Sequence, residues 1–133
     1  MTRYIPRMTR IAALLALVLL GACQTMPTSG LADDVYFELH DSSPGARQRL
    51  IDSCYEKLAP IAGITFFAAG DRDAELTRPV NDQAFHVALH VYFVDRAAHD
   101  AYQDDPAHLA FIEDNLANWK YYKHYYGTIT RFF

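Results

Sequence analysis

Two side chains in the second half of the chain, Tyr102 and His108, have the chemistry of an acid–base site, and the acidic pair Asp104-Asp105 with Pro106 lies between them. Aspartate followed by proline is a helix start: the carboxylate accepts backbone N–H groups and proline takes the first helical position. His108 then falls in the first turn of that helix, where the positive end of the helix dipole disfavours an imidazolium and keeps the ring neutral. A neutral imidazole can take a proton from a ligand. It can equally bond the capping carboxylate of Asp104 or Asp105, with Tyr102 packed at a helix junction and its hydroxyl at the surface.

Few other residues are of a reactive type. Cys54 lies in the stripe Ala46, Leu50, Ile51, Cys54 and Leu58, spaced three and four apart, and is expected to be a buried structural thiol. His86 and His90 are four apart on one strand, so their Cα atoms lie about 13 Å apart at ~3.3 Å per residue. With bonds of about 2.1 Å to nitrogen, that pair alone cannot close a metal site within one chain; a partner chain would have to complete it. No metal and no cofactor are therefore expected. Arg72 and Arg78, in the polar connection from Asp71 to Gln83, either meet an anionic group or pair with the aspartates of their own loop.

The elements that must hold these residues follow from periodicity. Val35, Phe37 and Leu39 alternate with Tyr36, Glu38 and His40, which reads as a half-buried strand. Ser43 and Pro44 open a helix that Pro60 and Gly63 end, and Ile64 to Ala69 is a second strand. In the third strand, Phe85 to Val94, Val87, Leu89, Val91 and Phe93 share one face. Asp95 to Tyr102 is a short helix. Pro106 to about Trp119 is a longer one, with Leu109, Ile112, Leu116 and Trp119 as its buried stripe. Thr128 to Phe133 closes the chain as a last strand. The order βαββ(αα)β predicts an α+β fold, a ferredoxin-like antiparallel sheet with helices on one face. A ligand pocket between the two layers would draw its apolar lining from Val87, Leu89 and Phe111, beside Tyr102 and His108.

The other face of that sheet would carry Tyr36, Glu38, His40, His86, Ala88, His90 and Tyr92, with Phe66 or Phe67 beside them. A water-facing sheet surface normally shows charges and threonines, and this one is aromatic and rich in histidine. Burial against a second copy explains it, so a homodimer is expected through the face that holds His86, His90 and Tyr92.

With 133 residues, 51% of them apolar, the chain has room for one domain with a core, and disorder is excluded. Arg3, Arg7 and Arg10 precede an uncharged run from Ile11 to Ala22. As a helix that run would reach about 18 Å against the ~30 Å of a hydrocarbon core, so it reads as a signal peptide rather than a span. Leu20-Gly21-Ala22-Cys23 resembles the lipobox of bacterial lipoproteins, which implies lipidation of Cys23. Met8 begins a tighter version of the same signal. Gln24 stands where an aspartate would resemble an inner-membrane retention signal. The expected address is therefore the bacterial cell envelope, lipid-anchored to the outer membrane and facing the periplasm. The expected division is 1–22 signal peptide, 23–33 tether and 34–133 folded domain. Loss of the three arginines moves the formal charge from −4 to −7. Nucleic acid, which demands a basic footprint, is thereby excluded as a partner, and attachment to the membrane falls to the lipid.

The strand Val87–Phe93, followed by Asp95, Ala101-Tyr102, Pro106-Ala107-His108 and Phe111, resembles the stress-responsive dimeric A/B barrel family. Gly63-Ile64 and the run from Phe67 to Gly70 look like that family's second strand. The resemblance implies a dimeric α/β barrel built from two ferredoxin-like sheets. A distant branch, the plant polyketide cyclases of the olivetolic acid cyclase type, uses a histidine as base and a tyrosine as hydrogen-bonding partner; the matching residues here are His108 and Tyr102. Where those cyclases carry further histidines, this chain has Asp33, Val87 and Asp105. Three readings follow. The first is a non-catalytic lipoprotein domain holding a small apolar or aromatic ligand. The second is a cyclase-like enzyme acting through His108 and Tyr102. The third is a haem- or quinol-handling monooxygenase, by analogy with related dimeric barrels. A cavity beside His108 that admits a bicyclic molecule would favour the second, and a collapsed core the first.

Overall fold

The computed structural model describes residues 29–131. The signal peptide, Cys23 and most of the expected tether lie outside the described residues. Strand β1 (Gly30–Leu39) is followed by helix α1 (Pro44–Ser53), which runs on through one π-helical turn, Cys54–Leu58. Strands β2 (Ile64–Asp71) and β3 (Val87–Phe93) come next, then helices α2 (Arg96–Gln103) and α3 (Pro106–Asn115). A 3-10 turn, Leu116–Asn118, leads into β4 (Trp119–Ile129). The sheet order is β2-β3-β1-β4 with every neighbouring pair antiparallel. This is the expected ferredoxin-like sheet with its helices on one face.

The helix starts follow from local chemistry. The Ser43 hydroxyl accepts from the Ala46 N–H, the Asp95 carboxylate from that of Ala98, and the Asp105 carboxylate from that of Ala107. Each satisfies one of the orphan donors that a helix N-terminus leaves. Gly63 closes the turn before β2 with φ at +88°, and a Cβ there would lie 2.6 Å from the Cβ of Ala98. Both the left-handed backbone and the close approach of α2 demand glycine at this position.

Val35, Phe37, Leu89, Val91 and Phe93 are buried beneath Leu50, Cys54 and Leu58 of the first helix and Phe111 of α3. Side chains of this kind contribute roughly 1.5–3 kcal/mol each on leaving water. The Cys54 thiol is fully enclosed, and burial pushes its pKa up to about 12, so it packs as an inert apolar group.

Three sequence expectations are corrected. β1 starts at Gly30, not Val35, so residues 30–33 belong to the sheet rather than to a tether. As a central strand it pairs on both sides, Leu31 with Phe93 and with Thr128, which extends it through an Asp33-Asp34 pair of poor strand formers. α3 ends at Asn115, and its inward residues are His108 and Phe111 with Ile112 half-buried. Leu109 and Leu116 are 54% and 50% exposed, and Trp119 opens the last strand. That strand is Trp119–Ile129 rather than the final six residues. Both of its faces are aromatic, so no polar–apolar alternation announces it.

Candidate functional site

The helix-facing side of the sheet and the paired helices α2 and α3 border a partly open cavity of about 160 Å³. Asp33, Val35 and Phe37 of β1, Leu89 of β3, and Trp119, Tyr122 and His124 of β4 line it from below. Tyr102 and Gln103 of α2 and His108, Phe111 and Ile112 of α3 line it from above. Tyr102 and His108 are thus brought together, their ring centroids 4.5 Å apart. Of the expected apolar lining, Leu89 and Phe111 border the cavity. Val87 does not: it is fully buried at the other end of β3, paired with Phe37 and Asp71.

His108 sits in the first turn of α3, where Asp105 caps and Pro106 leads. Its Nδ1 lies 3.2 Å from the carbonyl oxygen of Gln103, not on Asp104 or Asp105 as the sequence allowed. A carbonyl only accepts, so Nδ1 carries the hydrogen and the neutral ring keeps its lone pair on Nε2. Burial holds the pKa of His108 below the ordinary imidazole value, with a further push from the nearby His124. Tyr102 is 3% exposed, contrary to the expected surface hydroxyl, and packs edge-on against Phe93 at 5.0 Å. Burial first, and the Asp33 carboxylate second, push its pKa up, so it stays a phenol.

Two residues of this cavity were not legible as site residues. Asp33, in the expected tether, is 2% exposed and accepts a hydrogen bond of 2.9 Å from Nδ1 of His124. His124 sits in a tail of tyrosines that masks it, and its ring stacks on Tyr126 at 5.6 Å. Trp119, on the same wall, has a buried indole N–H without an acceptor among the described residues. Two signals point to Asp33: it falls where the cyclases carry a further histidine, and an aspartate inside a strand is unusual enough to warrant asking what it holds.

The histidines of the opposite face have other partners. His86 Nδ1 accepts from the backbone N–H of Leu39 at 3.0 Å, just ahead of β3. His90 pairs with Asp34, its Nδ1 2.6 Å from the carboxylate. The two rings do not converge. Phe66, not Phe67, is the aromatic beside Tyr92, at 5.1 Å. Phe67 faces the helices and meets Tyr55. Arg72 donates to the carbonyl of Phe85 at 2.9 Å and to the Gln83 side chain, so it braces its own loop, while Arg78 is exposed. Between that loop and the open sheet face lies a wider cleft of about 630 Å³, bordered by Asp34, Tyr36, Phe85, Tyr121, Lys123 and Tyr125. It is the larger space, and its charged lining is carboxylates and a lysine, Asp34, Glu38, Asp82 and Lys123, with no imidazole among them.

Comparison with known proteins bears on this architecture. The model of the stress responsive A/B barrel domain matches residues 35–122. Among solved structures, a Dabb family protein with a ferredoxin-like fold from Mesorhizobium loti is 25% identical, with a TM-score of 0.62. The match covers 74% of this chain and 95% of that one. A dimeric ferredoxin-like protein of unknown function from Thermobifida fusca is 19% identical, with a TM-score of 0.66, covering 80% of this chain and 96% of its own. The hydroxynitrile lyase of Passiflora edulis is also 19% identical, with a TM-score of 0.62, covering 81% and 99%. No curated protein matches the chain.

Proposed function

The chain belongs to the stress-responsive A/B barrel domain family, and from that premise we propose that it is a lipid-tethered dimeric domain that binds a small carbonyl compound and takes a proton from it through His108. One observation carries the reading: His108 is fixed by the Gln103 carbonyl with its Nε2 free, in an aromatic cavity of about 160 Å³. A dry cavity of about 150 Å³ is enough for a benzene-sized guest, whereas drug-sized ligands take roughly 300–1,000 Å³. The room suits one ring, not the bicyclic molecule whose admission would favour the cyclase-like reading. Tyr102, kept as a phenol, and the indole N–H of Trp119 are donors of the kind that a carbonyl oxygen accepts from. The Passiflora edulis hydroxynitrile lyase supports the view that this fold carries chemistry on small carbonyl-derived compounds.

Acetophenone is the test ligand, titrated into the full chain in detergent and followed by NMR of the aromatic and imidazole rings. Saturable shifts at Tyr102 and His108, lost in His108→Ala, are expected, and 2-acetonaphthone should leave the rings unmoved. Equal binding of both ketones, or of neither, sinks the reading.

Dimerisation through the open face is the second part of the proposal. Phe66, Tyr121 and Tyr125 are about half exposed there, and two related structures are of dimeric proteins from Thermobifida fusca and Bacteroides fragilis. His90 and Tyr92 would meet the partner, with His86 at the margin. His90→Glu sets a second carboxylate beside Asp34 and should shift sedimentation toward monomer; an unchanged profile removes this interface. The lipid anchor rests on Leu20-Gly21-Ala22-Cys23 alone. No helix among the described residues is long and apolar enough to cross a membrane. Labelled palmitate should enter the wild-type chain and not Cys23→Ser, and label in both would refute lipidation at Cys23.

A further inference from the structure

We propose that His124, held by the buried carboxylate of Asp33, is a second proton-transfer residue of the same cavity, giving a proton to the oxygen of a small carbonyl ligand while His108 takes one from the adjacent carbon. The inference rests on the reading of the cavity as a carbonyl site and adds the residue that the reaction lacks.

The register of the sheet sets up the pair. β4 runs antiparallel to β1 with His124 opposite Val35 and Tyr126 opposite Asp33, so Asp33 and His124 are diagonal neighbours on the helix-facing side. The Asp33 side chain is 3% exposed, and among the described residues its one ion-pair partner is His124, at 2.9 Å. A carboxylate taken out of water costs several kcal/mol unless an opposite charge or donors meet it, and His124 is the group placed to do so. A carboxylate accepts and does not donate, so Nδ1 of His124 bears the hydrogen. The Tyr126 hydroxyl, at 3.3 Å from the same nitrogen, cannot donate to it and is the weaker neighbour. Nε2 is therefore the free nitrogen of His124. An imidazolium formed by a proton there has its charge offset by Asp33, as in other carboxylate–imidazole pairs.

The groups around His124 come from every wall of the cavity: Asp33 on β1, Tyr122 and Tyr126 on β4, Tyr102 on α2 and His108 on α3. None of them is a lysine or arginine. A positive charge on His124 also presses His108 toward its neutral form. One ring beside a buried carboxylate and one fixed by a backbone carbonyl, on opposite walls of one cavity, are placed as an acid and a base. With 32% of its side chain exposed, His124 can regain its proton from water.

The step balances without an oxidant or reductant. The C–H bond beside the carbonyl breaks and an N–H bond forms at Nε2 of His108. The electron pair moves into the C=C bond, and the carbonyl oxygen takes the hydrogen from Nε2 of His124. The product is the enol; His108 leaves the step protonated and His124 neutral, and solvent restores both.

The measurement is exchange of the methyl hydrogens of acetophenone in D2O, followed by proton NMR with the full chain in detergent. Wild type should accelerate exchange over the detergent blank, and His108→Gln and His124→Gln should each slow it at least tenfold. Asp33→Asn, a positioning change, should slow it less and shift its pH profile. Added imidazole should restore exchange to His124→Ala, an outcome that a purely structural histidine would not produce. Circular dichroism checks that each variant is folded. Should Asp33→Asn unfold, His124→Gln and the imidazole rescue decide. A wild-type rate in His124→Gln overturns this inference while leaving the His108 reading intact. Absence of catalysed exchange in wild type overturns it as well, and the acetophenone titration then shows separately whether the binding site stands.

Discussion

Asp33 and Asp34 are neighbours in one strand, and each holds a histidine: Asp33 reaches His124 of β4 at 2.9 Å, and Asp34 reaches His90 of β3 at 2.6 Å. The pleat sends them to opposite faces of the sheet. Beneath the helices the Asp33 carboxylate is 3% exposed, whereas on the open face that of Asp34 is 28% exposed. The same two residue types therefore do different work. Under the helices a charge without its partner would be stranded away from water, and the pair is bound into the cavity wall. On the open face water reaches the pair and screens it.

The largest expected difference between the two faces lies in packing. Phe93→Ala, on the covered face, should cost about 3–5 kcal/mol in a urea titration, because a fully buried ring leaves a cavity. Tyr92→Ala, one residue away on the open face, should cost the monomer about 1 kcal/mol or less and show itself in sedimentation instead. The carboxylates come next. His124→Ala should cost about 3 kcal/mol by leaving the buried Asp33 carboxylate without its partner, against about 1 kcal/mol or less for His90→Ala beside Asp34. Equal losses at 124 and 90 would erase the contrast.

Proton linkage gives a smaller effect. Burial keeps His108 below the ordinary imidazole pKa of about 6.5, so as pH falls the unfolded chain takes up the proton before the folded one does. The contribution of the neutral ring to stability is complete above that value and declines below it. Thermal melts of wild type between pH 7 and pH 5 should fall more steeply than those of His108→Gln. The smallest effect is that of salt. About 1 M NaCl shortens the Debye length to ~3 Å and should slightly weaken the half-buried Asp34–His90 and the surface Glu38–Lys120 pairs. A double-mutant cycle at Asp33 and His124 should be nearly unmoved by the same salt.

Much of the frame was legible before any coordinates. Val35, Phe37 and Leu39 alternate as a strand beneath helices must, Val87 to Phe93 does the same, and Ser43, Asp95 and Asp105 mark three helix starts. These signals are local, carried by neighbours two to four residues apart. The site was half legible. Tyr102 and His108 stand out because they flank a cap, but whether His108 bonds Asp105 or Gln103 depends on the angle between two helices, which no local pattern encodes. The stripe expected for α3 failed for a related reason. Leu109 and Leu116 are apolar yet face outward, while the polar His108 faces in, because the cavity and not hydrophobicity chooses that face.

What the sequence determined alone is the order of elements, the caps and the pair Tyr102 and His108. The tertiary structure decided the other half of the site. Asp33 and His124 are 91 residues apart, and they meet only through the register of β1 against β4. A shift of one residue in that register would turn His124 to the open face, beside Asp34 and away from His108. Strand alternation is a property of consecutive residues, whereas register is a property of two strands that find each other only when the chain folds.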